Sequence, residues 1–177
     1  MGAVIRLANE EDLEAGLAIE GACTTEHVWQ VTRRDAEDQL MVTFNDVRLP
    51  RPMSVEYPRS AHDIAEIWKT SDAVLVADLD GAVGGFLTLR AERWRRSAWI
   101  TDVVVAEPCR RMGIGTALVT AARQWAHSRR LQTIIAEAQS QNGPAIAFFN
   151  KQGFTFCGFH ERYYANQIAL FFARGVR

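Results

Sequence analysis

The 177-residue chain is 48% hydrophobic and 23% charged, proportions that predict a single globular domain over residues 1–177. Lys and Arg number 20 against 21 Asp and Glu, and the formal charge of -1 excludes a generally basic nucleic-acid binder and an acidic disordered chain. Three widely spaced cysteines (Cys23, Cys109 and Cys157) with no Cys-x-x-Cys pair argue against a disulfide framework or structural zinc, and the short, interrupted apolar runs argue against a membrane span.

Residues 3–8 read as a short opening strand, and Asn9 with Asp12 reads as the cap of a helix over about 11–21 bearing Leu13, Leu17 and Ile19. Val28–Thr32 and Leu40–Phe44 read as strands around an acidic turn. Pro50, Pro52 and Pro58 predict a loop over about 49–60, because proline lacks the ladder donor. Ala61–Thr70 has helical spacing at Ile64, Ile67 and Trp68. Next, Ala73–Ala77 and Val83–Leu89 form a hairpin around Asp80-Gly81. Ala98–Ala106 is a third strand, ended by Pro108. Gly113 to about Arg130 is an amphipathic helix with Ala117, Leu118, Ala121, Ala122 and Trp125 on its apolar side. Thr133–Ala138, Phe154–Phe159 and Gln167–Ala173 are strands, with a helix over Pro144–Lys151 that Gly153 stops. The strand-helix alternation after residue 97 predicts a mixed α/β sheet.

The segment richest in chemical information runs from Asp102 through Arg110-Arg111-Met112-Gly113-Ile114-Gly115-Thr116. A buried strand enters a glycine loop and then a helix. The glycines allow positive φ and close backbone approach, and unpaired N–H groups at a helix start attract an anion. Arg110 and Arg111 add charge where a pyrophosphate would lie. A dinucleotide fingerprint would need a glycine where Leu118 stands, and a Walker loop would need Gly-Lys-Ser/Thr. The alternative is a solvated basic turn whose glycines only cap the helix.

This loop, preceded by Ile100-Thr-Asp-Val-Val-Val105, resembles motif A of the GCN5-related N-acetyltransferase (GNAT) family. Asn142-Gly-Pro-Ala-Ile-Ala-Phe-Phe-Asn-Lys-Gln-Gly153-Phe154 is similar to the family's Asn-x-x-Ala-x-x-Phe-Tyr-x-x-x-Gly-Phe segment. Ile168–Ala173 and residues 29–58 look most like the streptothricin acetyltransferase branch. The resemblance implies the acyl-CoA N-acyltransferase fold, a mostly antiparallel mixed sheet flanked by helices. It implies acetyl-CoA as donor and no metal. Val103, Val104 and Val105 would then lie beside the pantetheine, and the backbone of Arg110, Arg111, Met112, Gly113, Ile114, Gly115 and Thr116 would hold the pyrophosphate. Asn142 would touch the CoA arm, or simply cap a helix.

The family commonly supplies a Tyr to the leaving thiolate at the position of Phe149, which has no hydroxyl. Tyr163 and Tyr164 are the replacement candidates, Tyr164 being the one carried forward; strand-packing aromatics are the other reading. Glu137, an acid in an apolar strand, and Asp102, at the start of the cofactor strand, are the two candidates for the base that deprotonates the amine. Cys109 and Cys157 read as bystanders, because direct transfer needs no acyl-enzyme, and His127 and His160 read as surface residues. The arginines at 93–96 with Trp94 and Trp99 read as a solvated turn rather than a nucleic-acid surface.

The implied activity is acetyl transfer to a primary amine of a small molecule, in a cytoplasmic monomer or homodimer without nucleic-acid or membrane partners. Acetylation of a protein lysine or N-terminus, a non-catalytic acyl-CoA sensor and a partner-binding module are the alternatives. The charge distribution supports two substrates. Residues 1–89 hold 7 basic and 16 acidic residues, whereas residues 90–130 hold 9 and 3. An acidic half suits a cationic amine and a basic middle suits an anionic donor.

Overall fold

The computed structural model describes residues 2–177. Its elements in chain order are β1 (Val4–Leu7), α1 (Asp12–Leu17), β2 (Cys23–Ala36), β3 (Gln39–Val55), α2 (Ala61–Thr70), β4 (Ala73–Leu79), β5 (Ala82–Glu92), β6 (Ser97–Val105), α3 (Ile114–Ser128), β7 (Thr133–Gln139), α4 (Gly143–Lys151), β8 (Thr155–Tyr164) and β9 (Gln167–Gly175). Seven strands form one sheet in the order β1-β4-β5-β6-β7-β9-β8, and β2 pairs with β3 in a separate ribbon. Within the main sheet, only β6 and β7 run parallel. The expected mixed, mostly antiparallel sheet is what forms.

Apolar alternation decides which helix covers which face. Leu87, Leu89, Ala98 and Ile100 pack with Leu118, Val119 and Ala122 of α3 and with Ile146 and Phe149 of α4. Val76, Phe86 and Val104 face the other way, toward Ile64 and Trp68 of α2. Phe86, Phe149 and Phe172 are fully buried; each such side chain stabilises the fold by roughly 1.5–3 kcal/mol. The β4–β5 hairpin turns on Asp80 and Gly81 with φ of 54° and 93°, the primed geometry that matches strand twist.

Three expectations need correction. The first helix is shorter than the spacing suggests: α1 ends at Leu17, so Ile19 lies beyond it, although Asn9 and Asp12 do exchange backbone-to-side-chain bonds at 2.7 and 3.1 Å. The two strands of the ribbon extend well past Val28–Thr32 and Leu40–Phe44. Much of the predicted loop at 49–60 is strand, since β3 continues to Val55 through Pro50 and Pro52. The register jumps there from His27↔Arg48 to Thr25↔Met53, so both prolines sit in a bulge that needs no ladder donors. The ribbon is fastened to the main body by Trp29 N–H donating to Ser140 O at 2.8 Å and by Phe44 against Phe156 and Phe159, with ring centroids 4.8 and 5.2 Å apart.

Two irregularities shape the centre. The β6–β7 pairing runs only from Ser97↔Thr133 to Ile100↔Ala136, although both strands continue. At the same point β6 carries a bulge: Leu89 pairs with Ile100 and Thr88 with Asp102, leaving Thr101 as an extra residue. A bulge bends its strand, so β6 leaves β7 and the sheet forks.

Candidate active site

One side of the fork is built from the end of β6 and the start of α3. Arg111 and Gly113 have φ of 67° and 86°, which turn the chain tightly into the helix. A methyl on Gly113 would meet nothing within 4 Å; its requirement is conformational. At Gly115 a methyl would lie 3.3 Å from the Phe148 ring, so that glycine lets α3 and α4 approach. Ala117 N–H bonds to Gly113 O at 3.0 Å, while among the described residues the N–H groups of 111–116 have no protein acceptor. Such a run at a helix start is an anion cradle. Val103 and Val105 pack toward α3, and Val104 turns to the opposite face.

Arg110 does not join that cradle. Its guanidinium donates to Val105 O at 3.0 Å, Glu20 O at 3.1 Å and Ala22 O at 2.9 Å. These are carbonyls at a strand end and in the α1–β2 connector, which lack partners of their own kind and draw in a side-chain donor. Asn142 caps α4, accepting from Ala145 N–H at 3.0 Å, and its oxygen also accepts from the Cys23 thiol at 3.4 Å. Phe149 is 1% exposed and packed among Phe148, Phe154 and Phe172.

The other face of the fork holds the two acids. The bulge at Thr101 puts Asp102 on the α2 side, and the alternation of β7 puts Glu137 on the same side, away from Ala136 and Ala138. Their side chains are 0% and 1% exposed. One guanidinium serves both. Arg59 donates to Asp102 Oδ1 at 3.2 Å through Nη1 and to Glu137 Oε1 through Nη2. Hydroxyls fill the remaining positions. Tyr57 donates to Asp102 Oδ1 and Thr88 to Asp102 Oδ2 at 3.0 Å. Tyr163 donates to Glu137 Oε2 at 2.7 Å and Tyr164 to Glu137 Oε1 at 2.9 Å.

A small cavity of about 50 Å³ opens beside this cluster, lined by Tyr57, Arg59, Asp102, Glu137, Phe149 and Tyr164 among others. With two carboxylates, one guanidinium and neutral phenols, the formal charge of the cluster is -1. Burial would lower the Arg59 pKa, but the charges of Asp102 and Glu137 more than offset it and hold the group above its ordinary value. Burial first, then the adjacent carboxylate, pushes Tyr57, Tyr163 and Tyr164 above the usual phenol range. All three are therefore protonated donors at neutral pH.

The structure thus brings together Glu137, Asp102, Tyr164 and Phe149, and it places the 111–116 cradle on the opposite face of the fork. Tyr57 and Arg59 escaped the sequence reading because they lie in a segment without periodicity. A signal was present nonetheless: an acid in an apolar strand demands a cation, and residues 1–89 offer only 7 basic residues. His127, His160 and Cys157 are exposed. Among the described residues no group of three or more His, Cys, Asp or Glu is placed to hold a metal, and no helix is long and apolar enough to cross a membrane.

A sheet that forks beside an anion-cradling loop is the architecture of acyl-CoA acyltransferases. The chain belongs to the Acetyltransferase (GNAT) family, which matches residues 40–154. It is similar to the streptothricin acetyltransferase of Streptomyces lavendulae, 29% identical over 160 residues, covering 90% of this chain and 85% of that protein. Its structure is similar to that of a nourseothricin acetyltransferase, with a TM-score of 0.86 at 26% identity and 100% of each chain covered. A Bacillus anthracis protein described as a streptothricin acetyltransferase and solved in complex with acetyl coenzyme A shares the fold, with a TM-score of 0.75 at 24% identity over 98% of this chain and 99% of that one. The resemblance seen in the glycine loop and the 142–154 segment is borne out, and the protein is an acetyltransferase.

Proposed function

We propose that the protein transfers the acetyl group of acetyl-CoA directly to a primary amine of a small molecule of the streptothricin class. The observation that carries this reading is the buried cluster of two acids, one arginine and three tyrosines where the sheet forks, with its formal charge of -1. A negative, low-dielectric recess favours a cationic amine. The names of the similar proteins point to the same acceptor class.

Acetyl-CoA is the donor, and it supplies the activated acetyl group. The cradle suits it: the N–H groups of 111–116 have no protein acceptor, and the exposed Arg111 adds a charge beside them. Arg111, Met112, Gly113, Ile114, Gly115 and Thr116 hold the pyrophosphate through the backbone. The β6 edge at Val103–Val105, free of β7, flanks the pantetheine.

On the acceptor side, Tyr164 and Glu137 move the proton. Once the bound amine has released its ammonium proton to solvent, its nitrogen attacks the thioester carbonyl carbon and the C–S bond breaks, while the Tyr164 oxygen accepts the remaining excess N–H proton as its own proton passes along the 2.9 Å hydrogen bond to Glu137 Oε1. The same path in reverse returns a proton toward the departing thiolate, in the role for which Phe149 has no hydroxyl. Asp102 has all its close partners within the protein and positions Arg59 and Tyr57. Arg59 and Tyr163 in turn hold Glu137.

Incubation with acetyl-CoA and streptothricin, followed by thiol release and product mass, tests the reading. One acetyl group per streptothricin molecule is expected. Transfer only to peptide N-termini or lysines would refute the acceptor class, and acetyl-CoA binding without transfer to any amine would refute the activity.

A further inference from the structure

Resting on that reading, we infer that Arg110 is a positioning residue of the acceptor site and not a ligand of the donor's phosphates. Its three hydrogen bonds all go to backbone carbonyls, at 2.9–3.1 Å. Two of those carbonyls, on Glu20 and Ala22, bracket Gly21 in the α1–β2 connector. Both of these bonds come from Nη2 while Nε is anchored to Val105 O, so a single nitrogen holds the backbone on either side of Gly21.

Gly21 is in turn the surface on which Tyr57 lies. A methyl built on Gly21 would stand 2.7 Å from Cγ and Cδ2 of the Tyr57 ring and 3.0 Å from its Cβ. No side chain fits between them, so the bare backbone of Gly21 acts as the wall of the ring's slot. The hydroxyl at the far end of that ring bonds to Asp102, which shares Arg59 with Glu137. A continuous series of contacts therefore runs from the first arginine of the glycine loop, through the connector and the Tyr57 ring, to the two acids. Cys23, the first residue of β2, reaches Asn142 at 3.4 Å, so the end of the connector is also tied to the start of α4. Removal of Arg110 frees the connector, widens the slot and lets the Tyr57 hydroxyl leave Asp102. The anion cradle keeps its backbone N–H groups and Arg111.

The chain's three tyrosines all lie in this cluster, so each can be followed separately. Protein labelled with carbon-13 at tyrosine Cζ gives one resonance per phenol, and Tyr57→Phe assigns the first. Arg110→Gln and Gly21→Ala are both expected to move the Tyr57 resonance and leave those of Tyr163 and Tyr164 close to their wild-type positions. By calorimetry, the acetyl-CoA Kd of Arg110→Gln should stay within about threefold of wild type. Its kcat/KM with streptothricin should fall by about tenfold or more. A loss of acetyl-CoA affinity of about tenfold with an unmoved Tyr57 resonance would overturn the inference and return Arg110 to the phosphate site. An unmoved Tyr57 resonance in both variants would overturn it as well. If Arg110→Gln does not fold, Gly21→Ala decides alone, since it alters the slot without touching the glycine loop. The resonances and the acetyl-CoA Kd do not involve the acceptor, so failure of wild-type turnover with streptothricin would fall on the acceptor class alone.

Discussion

Replacing Arg59 by methionine removes the cation that both acids share. Its side chain is 13% exposed and those of Asp102 and Glu137 are 0% and 1% exposed, so the charges left behind have almost no water to turn to. Loss of one partner from a buried ion pair costs about 3–5 kcal/mol. Tyr57, Thr88, Tyr163 and Tyr164 still donate to the carboxylates, which argues for the lower end, about 3 kcal/mol. For a chain of this length that corresponds to a Tm lower by roughly 6–12 °C. The direction with pH follows from linkage. Without Arg59 the native state holds two adjacent carboxylates and binds a proton more readily than the unfolded chain does, so stability relative to wild type recovers as pH falls. Urea unfolding of both proteins from neutral pH into the carboxylate range measures this at unchanged m. A neutral-pH difference below about 1 kcal/mol, or a deficit that grows in acid, would refute the bridging role. Arg59→Lys keeps the charge without the fork and should fall between the two.

The phenols give a complementary test: in an alkaline titration followed by tyrosinate absorbance, none of the three should ionise near the ordinary phenol value of about 10, because burial and an adjacent carboxylate raise each one. A group with a raised folded-state pKa contributes stability that is present below its unfolded value and lost as pH climbs, so ionisation should arrive together with unfolding; one normal titration would contradict the arrangement. Tyr164→Phe and Glu137→Gln should each lower kcat by about 10²–10⁴ while leaving the acetyl-CoA Kd unchanged, and retention of full kcat would remove them from the proton path. In Gly143→Ala the new methyl would stand 2.5 Å from His27 O and 2.8 Å from Thr25 Oγ1, so the ribbon must shift off α4. The expected cost is about 1–3 kcal/mol in urea unfolding, and wild-type stability would contradict the tight seat.

The parts of this protein that were legible in the sequence are those whose partners are near in the chain or whose burial is periodic. The strands from Ala73 onward, helix α3 and the glycine turn all follow from local patterns, because one face of each meets a core. The ribbon was harder for a physical reason: residues 32–41 are exposed throughout, so no alternation marks them, and prolines in a bulge imitate a loop. Arg59 reaches acids 43 and 78 residues away, and no spacing rule spans such a gap. Glu137 and Asp102 could be singled out as chemically unusual, yet the sequence could not say that they share one cation.

Thr101 enters the cluster only through its carbonyl, which accepts from Arg59 Nη1 at 3.2 Å, and yet the arrangement depends on how it is seated. Ala98 and Ile100 face α3; so do Val103 and Val105. The parity of β6 is inverted between them by that single extra residue, and Asp102 shares a face with Thr88 because the extra residue is looped out of the ladder. Drawing Thr101 into the ladder would turn Asp102 toward the α3 face, away from Thr88 and Arg59. Deleting Thr101 would instead keep Asp102 opposite Thr88 in a regular ladder and remove only the bend. In this chain the placement of Asp102 beside Arg59 is stored as an irregularity of the backbone rather than as a side chain.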